Sequence, residues 1–429
     1  MTAVSDNSNL VKTTTYRVVL PFYIYAALAF LVATVLLFTS SHVFSQHYFQ
    51  PKILAITHTM ALGWGTMIIL GASHQLLPVL IEGKLYSNTL AYLTFSLAAA
   101  GIPLLVFSFY TFNMQWPAQY GALLINAAIL LYLINVAASI VQSRHRNVHA
   151  IFILTAGVWL FITTLIGGLL VYNFTYHLLP DNSLHYLSLH AHVGIVGWFL
   201  LLVTGVGSRL IPMFLISKYS RKKVLWWIFA LINTGLLAFI FIFLYTTRAF
   251  LYLVPVIFIT LALCLFVYYC RQSYQQRIRR QVDGQMKISL LSVLMMIVPL
   301  LFLVAIIVML LLSSADTHLA LAYGFAVFFG WLTAIILGMT FKTLPFIVWD
   351  KIYHAKAGLG KTPNPNDLFS SRMFNGMALS YVFGFLCFIV GILIANSLVI
   401  KAGAMLLLCC AFLYNANIFK ILFHKESVR

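Results

Sequence analysis

Acidic residues are what this chain has least of. Asp and Glu number 8 in 429 residues, and all charged residues together make up 8%. No soluble core of this length goes with so little charge. The 62% hydrophobic content places the chain among polytopic membrane proteins. Cysteine is also sparse: Cys264, Cys270, Cys387, Cys409 and Cys410 all fall in apolar runs, with no Cys-x-x-Cys pair. That excludes a disulfide framework or a zinc knuckle and leaves small buried side chains. The shortage of carboxylates bears on function too, because proton relays across a bilayer need ionisable groups at depth. Asp316 stands at a segment edge and Asp181 in a connection, while Lys342 and Arg209 near segment ends are expected to snorkel. Nucleic-acid binding is not implied by the net charge of +18, since most basic residues sit in alternate connections, as membrane insertion requires.

What is present is a series of twelve apolar segments, each long enough to span. They cover about 17–39, 53–79, 88–110, 118–141, 149–172, 184–213, 222–245, 247–270, 287–312, 316–347, 372–395 and 398–422. The predicted fold class is therefore an all-α polytopic membrane protein. Its single membrane domain, 17–422, lies between short tails at 1–16 and 423–429. The polar first 16 residues lack a compact basic region, so no cleaved signal peptide is expected. Lys12, Arg144, Arg146, Lys218, Arg221, Lys222, Lys223, Arg271, Arg277, Arg279, Arg280, Lys351 and Lys356 lie at the N-terminus or in even-numbered connections. The odd-numbered connections carry little beyond Lys52, Arg248 and Lys401. Both termini are thus expected in the cytoplasm. The stretch Gly358-Leu-Gly-Lys361 lacks the glycine spacing and preceding strand of a phosphate loop and is expected to be a solvated connection.

The segments fall into a threefold repeat. Gly63-Trp64, Gly71 and Leu77-Pro78 in segment two return as Gly197-Trp198, Gly205 and Ile211-Pro212 in segment six. They return again as Gly330-Trp331, Gly338 and Leu344-Pro345 in segment ten. The prolines are 134 and 133 residues apart (212 − 78 and 345 − 212), which defines four-helix units at about 17–141, 149–270 and 287–422. On a regular helix Gly63, Trp64, Gly71 and Pro78 lie about 120–160° around from His58, so the shared skeleton reads as a packing face.

The histidines lie on the other side. Twenty residues before the three prolines stand His58, His192 and Phe325, and 27 before them stand Pro51, His185 and His318. Those layers share a face, about 10 Å apart. His190, two residues before His192, turns about 200° toward the scaffold. His74, also on the scaffold side, and His185, close to the cap Asp181-Asn-Ser183, are expected to be structural. His58, His192 and His318, on one face and one membrane side, suit a haem iron or copper. His185 and His190 could join His192 around a metal only if the outer turn of segment six unwinds.

In this organisation the chain resembles the haem-copper oxidase subunit I superfamily, over nearly its whole length. It looks closest to the NnrS-type and oxidase subunit I-like relatives. Gly207-Ser-Arg-Leu-Ile-Pro-Met-Phe214 is similar to their Gly-Gly-Arg-x-Ile-Pro-x-Phe segment, and the Leu-Gly-Trp-Gly and Leu-Leu-Pro of the His58 helix are similar to theirs. The resemblance implies twelve helices in three pseudo-symmetric arcs. It also implies His58 as a haem ligand, His192 as a copper ligand and His318 as the haem ligand of segment ten. The departures are as informative. Segment seven, Lys222 to Tyr245, has no histidine, and segment ten has His318 alone. What the resemblance implies is thus a b-type haem on His58 and His318, with copper as a further candidate, in a bacterial cytoplasmic membrane. Membrane lipid and respiratory-complex subunits or an electron donor would be its partners. Electron transfer, a response to nitric oxide or oxygen, or metal and haem handling would be its role. A divergent terminal oxidase or nitric oxide reductase, and a cofactor-free transporter or assembly factor, are the alternatives.

Overall fold

The computed structural model describes residues 14–143, 147–278, 280–312, 314, 316–354 and 362–426. Twelve helices are long and apolar enough to span a membrane: α1 (Tyr16–Thr39), α2 (Pro51–Leu80), α3 (Asn88–Thr111), α4 (Trp116–Gln142), α5 (Val148–Tyr176) and α6 (Leu187–Leu215). They continue with α7 (Lys222–Tyr245), α8 (Ala249–Gln275), α9 (Gly284–Leu311), α10 (Thr317–Tyr353), α11 (Ser371–Leu393) and α12 (Ser397–Leu422). The protein is an all-α polytopic membrane protein, and no strand occurs among the described residues. Side chains end the helices where the sequence offers a cap: Ser87, Asn147, Asp283, Asp316, Ser370 and Asn396 each accept from the first turn of the next helix. α10 runs on to Tyr353, beyond the expected end at 347, because Phe346-Ile-Val-Trp349 keeps it apolar. Lys12, Arg144, Arg146, Arg279, Lys356 and the Gly358–Lys361 stretch lie outside the described residues.

The repeated helices form the centre. In α2, α6 and α10, 72%, 61% and 72% of the most apolar window is buried, against 22–56% in the other nine spans. Their glycines meet the first helix of their own unit. A Cβ on Gly63 would lie 2.9 Å from Ala29, and one on Gly71 2.7 Å from Phe22, both on α1. One on Gly197 would lie 2.7 Å from Trp159 on α5, while Gly205 abuts Phe152 of α5 and Gly338 abuts Ser289 of α9. Gly330 departs from the pattern, with Phe385 of α11 as its nearest neighbour. Without side chains at these points the backbones come close enough for dispersion contact, which replaces the hydrophobic effect between helices in lipid.

The indoles link the three central helices. Trp198 Nε1 donates to Thr66 Oγ1 at 3.1 Å, from α6 to α2, and Trp64 Nε1 donates to Thr333 Oγ1 at 3.2 Å, from α2 to α10. Both threonines stand 12 residues before their prolines (78 − 66 and 345 − 333), where α6 has Leu200. Two links of a threefold ring are therefore made by hydroxyls, and the third position is apolar. Hydrogen bonds between membrane helices contribute only about 0.6 kcal/mol on average, so these fix rotation more than they hold the bundle.

One feature shared by the three helices has no counterpart in the apolar pattern. Each widens into a π-helical turn immediately after the histidine layer: Thr59–Thr66 comes after His58, Val193–Leu200 after His192, and Ala326–Leu332 after Phe325. A π turn takes one extra residue and so rotates the helix on its N-terminal side by roughly 100° relative to the helix on its C-terminal side. The angular separation between His58 and the Gly63, Trp64, Gly71 and Pro78 skeleton therefore differs from that of a regular helix.

Replacing Gly205 by Val should force α6 away from Phe152 and lower thermal stability in detergent, at an overpacking cost of roughly 1–3 kcal/mol. Gly324→Ala should leave the melting temperature unchanged, because a Cβ there meets nothing within 4 Å.

Candidate functional site

Two cavities flank α6. The first, about 290 Å³, is enclosed by α2, α3 and α4 of the first unit and α5 and α6 of the second, with α10 alongside. The second, about 590 Å³, is enclosed by α6, α7 and α8 of the second unit and α9 and α10 of the third. They occupy corresponding places in the repeat. In the third such place, aromatic rings pack: Phe325 stacks on Phe388 at 4.2 Å, Phe329 at 4.9 Å and Phe385 at 5.8 Å.

At both cavities the layer 20 residues before one proline faces the layer 22 residues before the next. His58 of α2 faces His190 of α6 (212 − 22) across the first cavity, ring centres 6.2 Å apart and planes within 13°. His192 of α6 faces Tyr323 of α10 (345 − 22) at the second, ring centres 5.7 Å apart and planes within 20°. The 200° turn between His190 and His192 thus takes His190 out of one cavity and into its neighbour, because α6 stands between the two. No wheel drawn for a single helix shows this. The 20/22 offset compared across units would have found both His190 and Tyr323.

Each of these three histidines is held in the same way. His58 Nδ1–H donates to the Leu54 carbonyl at 2.8 Å, His190 Nδ1–H to the Thr163 carbonyl at 3.1 Å, and His192 Nδ1–H to the Ser188 carbonyl at 2.8 Å. A carbonyl only accepts, so the proton sits on Nδ1 and the lone pair on Nε2. A backbone acceptor of this kind orients an imidazole ligand and sets its tautomer. Gly167 of α5 makes room for His190, since a Cβ there would lie 2.9 Å from its Cε1. Phe109 supports the other ring, 4.5 Å from His58 between centres.

His318 and His185 stand apart from the pair. His318 lies in the first turn of α10, where its backbone N–H donates to Asp316 Oδ1 at 2.8 Å, and it lines neither cavity. Its Nε2 is buried without a hydrogen-bond partner. His185 precedes α6, which begins at Leu187 and not at 184. Its ring is half exposed, 3.9 Å from Asp181 and beside Tyr186 and Phe243. His185, His190 and His192 therefore occupy three separate surroundings. Among the described residues no group of three or more His, Cys, Asp or Glu side chains gathers. His74 is enclosed by Phe22 and Tyr132 in the scaffold, away from both cavities.

Asp316 alone among the residues lining the two cavities carries a charge, and charge elsewhere is not all at the surface. Lys342, expected to snorkel, is half-buried and ion-paired with Asp283, the residue that caps α9. Snorkelling needs a path to water, and here a carboxylate of the neighbouring helix takes its place. Arg209 is exposed, as expected. Removing one partner of a half-buried pair leaves the other charge poorly solvated and costs less than the roughly 3–5 kcal/mol of a fully buried one. Lys342→Met should therefore lower stability clearly, and Lys342→Met with Asp283→Asn should lose less than the two single changes added. A double-mutant cycle of detergent melting measures this.

No protein-family model matches the chain and no curated protein matches it, so functional inference rests on the geometry of these side chains.

Proposed function

We propose that the first cavity is a haem site in which His58 and His190 would hold the group, and that the protein serves membrane electron transfer. The observation that carries this is the pair of facing imidazoles, each anchored through Nδ1 and each left with Nε2. An ion shared by two imidazole nitrogens at about 2.0–2.1 Å each sets the ring centres roughly 6 Å apart, and the rings stand at 6.2 Å. A bare structural or copper ion takes three or four protein donors, whereas a tetrapyrrole brings four nitrogens of its own and asks only for axial ligands. Two histidines in an apolar cavity suit the second case.

Bound there, haem would supply reversible one-electron chemistry. The chain's own residues set its limits. A haem held by both histidines would favour electron transfer over gas sensing. A second cavity with His192 and no other histidine does not supply the ligands of an oxygen-reducing centre, and copper has no part in this reading. No Lys or Arg lines the first cavity. The charge bias of the connections supports both termini in the cytoplasm of a bacterial cell, with the histidine ends of α2 and α6 toward the outer side.

The absorption spectrum tests the pairing. Protein expressed with adequate haem should show a Soret band and the sharp reduced bands of low-spin iron. His58→Ala and His190→Ala should each abolish the low-spin signature, and His318→Ala should leave it unchanged. Absence of a Soret band would overturn the reading. Loss on His318→Ala with His190→Ala unaffected would restore the pair His58 and His318.

A further inference from the structure

At the proline side of the second unit, two connections carry a cluster of cations. Lys218, Arg221, Lys222 and Lys223 belong to α6–α7 and the start of α7, and Arg277 and Arg280 to α8–α9. A bridge between Ser217 and Arg277 pins the two connections side by side, and Ile278 N–H donates to the Ile216 carbonyl at 3.1 Å. The cations of two loops thus share one surface. Arg209 joins them from near the end of α6, since it and Lys222 both lie within electrostatic reach of the His149 ring. Asp283 is the single carboxylate in either connection, and Lys342 holds it. Membrane insertion asks for a bias toward positive charge, not for a lack of carboxylates. In the first unit Glu82 accompanies Lys84 in the α2–α3 connection.

This surface stands at the edge of the bilayer. Trp226 and Trp227 in the first two turns of α7, with Tyr268 and Tyr274 toward the end of α8, are exposed. Such rings mark the headgroup level. Met213, Ile216 and Ile278, next to the cations in sequence, are exposed as well. Ile216 has φ 51° and ψ 51°, a left-handed backbone that a β-branched residue rarely takes. Its carbonyl is the one that receives Ile278 N–H, so the strained residue is also the one that joins the loops. The Arg277 guanidinium lies 3.9 Å from the Tyr274 ring centre, and its Nε is buried without a hydrogen-bond partner among the described residues. Buried donors are normally paired.

We propose that the two pinned connections of the second unit bind an anionic phospholipid. Its phosphate lies among the cations of both loops, and its chains lie along the exposed apolar side chains. A phosphodiester offers one negative charge and several acceptor oxygens, which guanidinium and ammonium donors take up well. With Asp283 held by Lys342, the two connections offer no carboxylate to the ammonium of a zwitterionic headgroup, so a headgroup without a cation is preferred. The belt rings and exposed isoleucines favour a lipid over a free anion. Basic groups between helix ends at a membrane surface recognise such headgroups by this chemistry. The site lies at the opposite ends of the helices from the histidines and does not depend on the haem reading.

Native mass spectrometry of the purified full chain in detergent tests it, with phosphatidylglycerol and phosphatidylethanolamine added at equal concentration. Phosphatidylglycerol should be retained in clear preference. Lys218→Gln with Arg277→Gln should reduce that preference by roughly fivefold or more, the worth of a basic side chain at a charged headgroup. Arg221→Gln with Lys222→Gln should do the same, and serves as the second pair if the first does not fold. Arg372→Gln with Lys420→Gln removes equal charge from exposed positions on the same side of the third unit and should leave the preference unchanged. Glycerophosphoglycerol, the headgroup without its chains, should not displace the lipid at equal concentration. Equal retention of the two lipids, an equal loss in the third-unit pair, unaltered preference in both second-unit pairs, or displacement by the bare headgroup would each overturn the proposal.

Discussion

The rest of the structure depends on how closely α2, α6 and α10 approach the first helix of their own unit. In lipid there is no hydrophobic gain from pressing one apolar helix on another, so dispersion at short range has to hold the bundle, and glycine is what permits it. Gly71, Gly197, Gly205 and Gly338 each place a backbone where even a methyl group would collide with α1, α5 or α9. The indole–threonine bonds from α6 to α2 and from α2 to α10 then set the rotation of the central helices. With the proline ends packed in this way, the histidine ends are left to differ.

The π turns separate these two regions. Within and below them the three units keep one skeleton. Above them the same two offsets carry His58 and His190, then His192 and Tyr323, then Phe325 and Ile56. One scaffold thus offers two facing imidazoles, an imidazole facing a phenol, and a place filled by stacked phenylalanines. Wide turns of this kind tend to occur at functional sites. Here they free the choice of side chain at the facing positions from the demands of packing.

Much of this is legible in the sequence, and the reasons are physical. Hydropathy locates all twelve spans, with most boundaries within a few residues, because a bilayer imposes length and polarity on each one separately. Proline spacing identifies the central helices, because packing against the same partner demands the same small residues. The site is only half legible. His58 and His192 stand in corresponding positions of a repeated helix, but correspondence is not contact: they lie in adjacent cavities, and each faces a residue of the next unit. His190 looks misdirected on its own helix and becomes intelligible only once α6 is seen to serve two cavities. Lys342 defeats a reading of its own helix for a similar reason, since its partner Asp283 is 59 residues away in sequence and caps another helix.

Whether His58 and His190 hold a haem, as proposed, is tested most directly by electron paramagnetic resonance of the oxidised, purified protein. Two imidazole planes within 13° of one another should give a rhombic low-spin ferric signal. A high-spin axial signal, or the strongly anisotropic low-spin signal of perpendicular imidazole planes, would contradict the account.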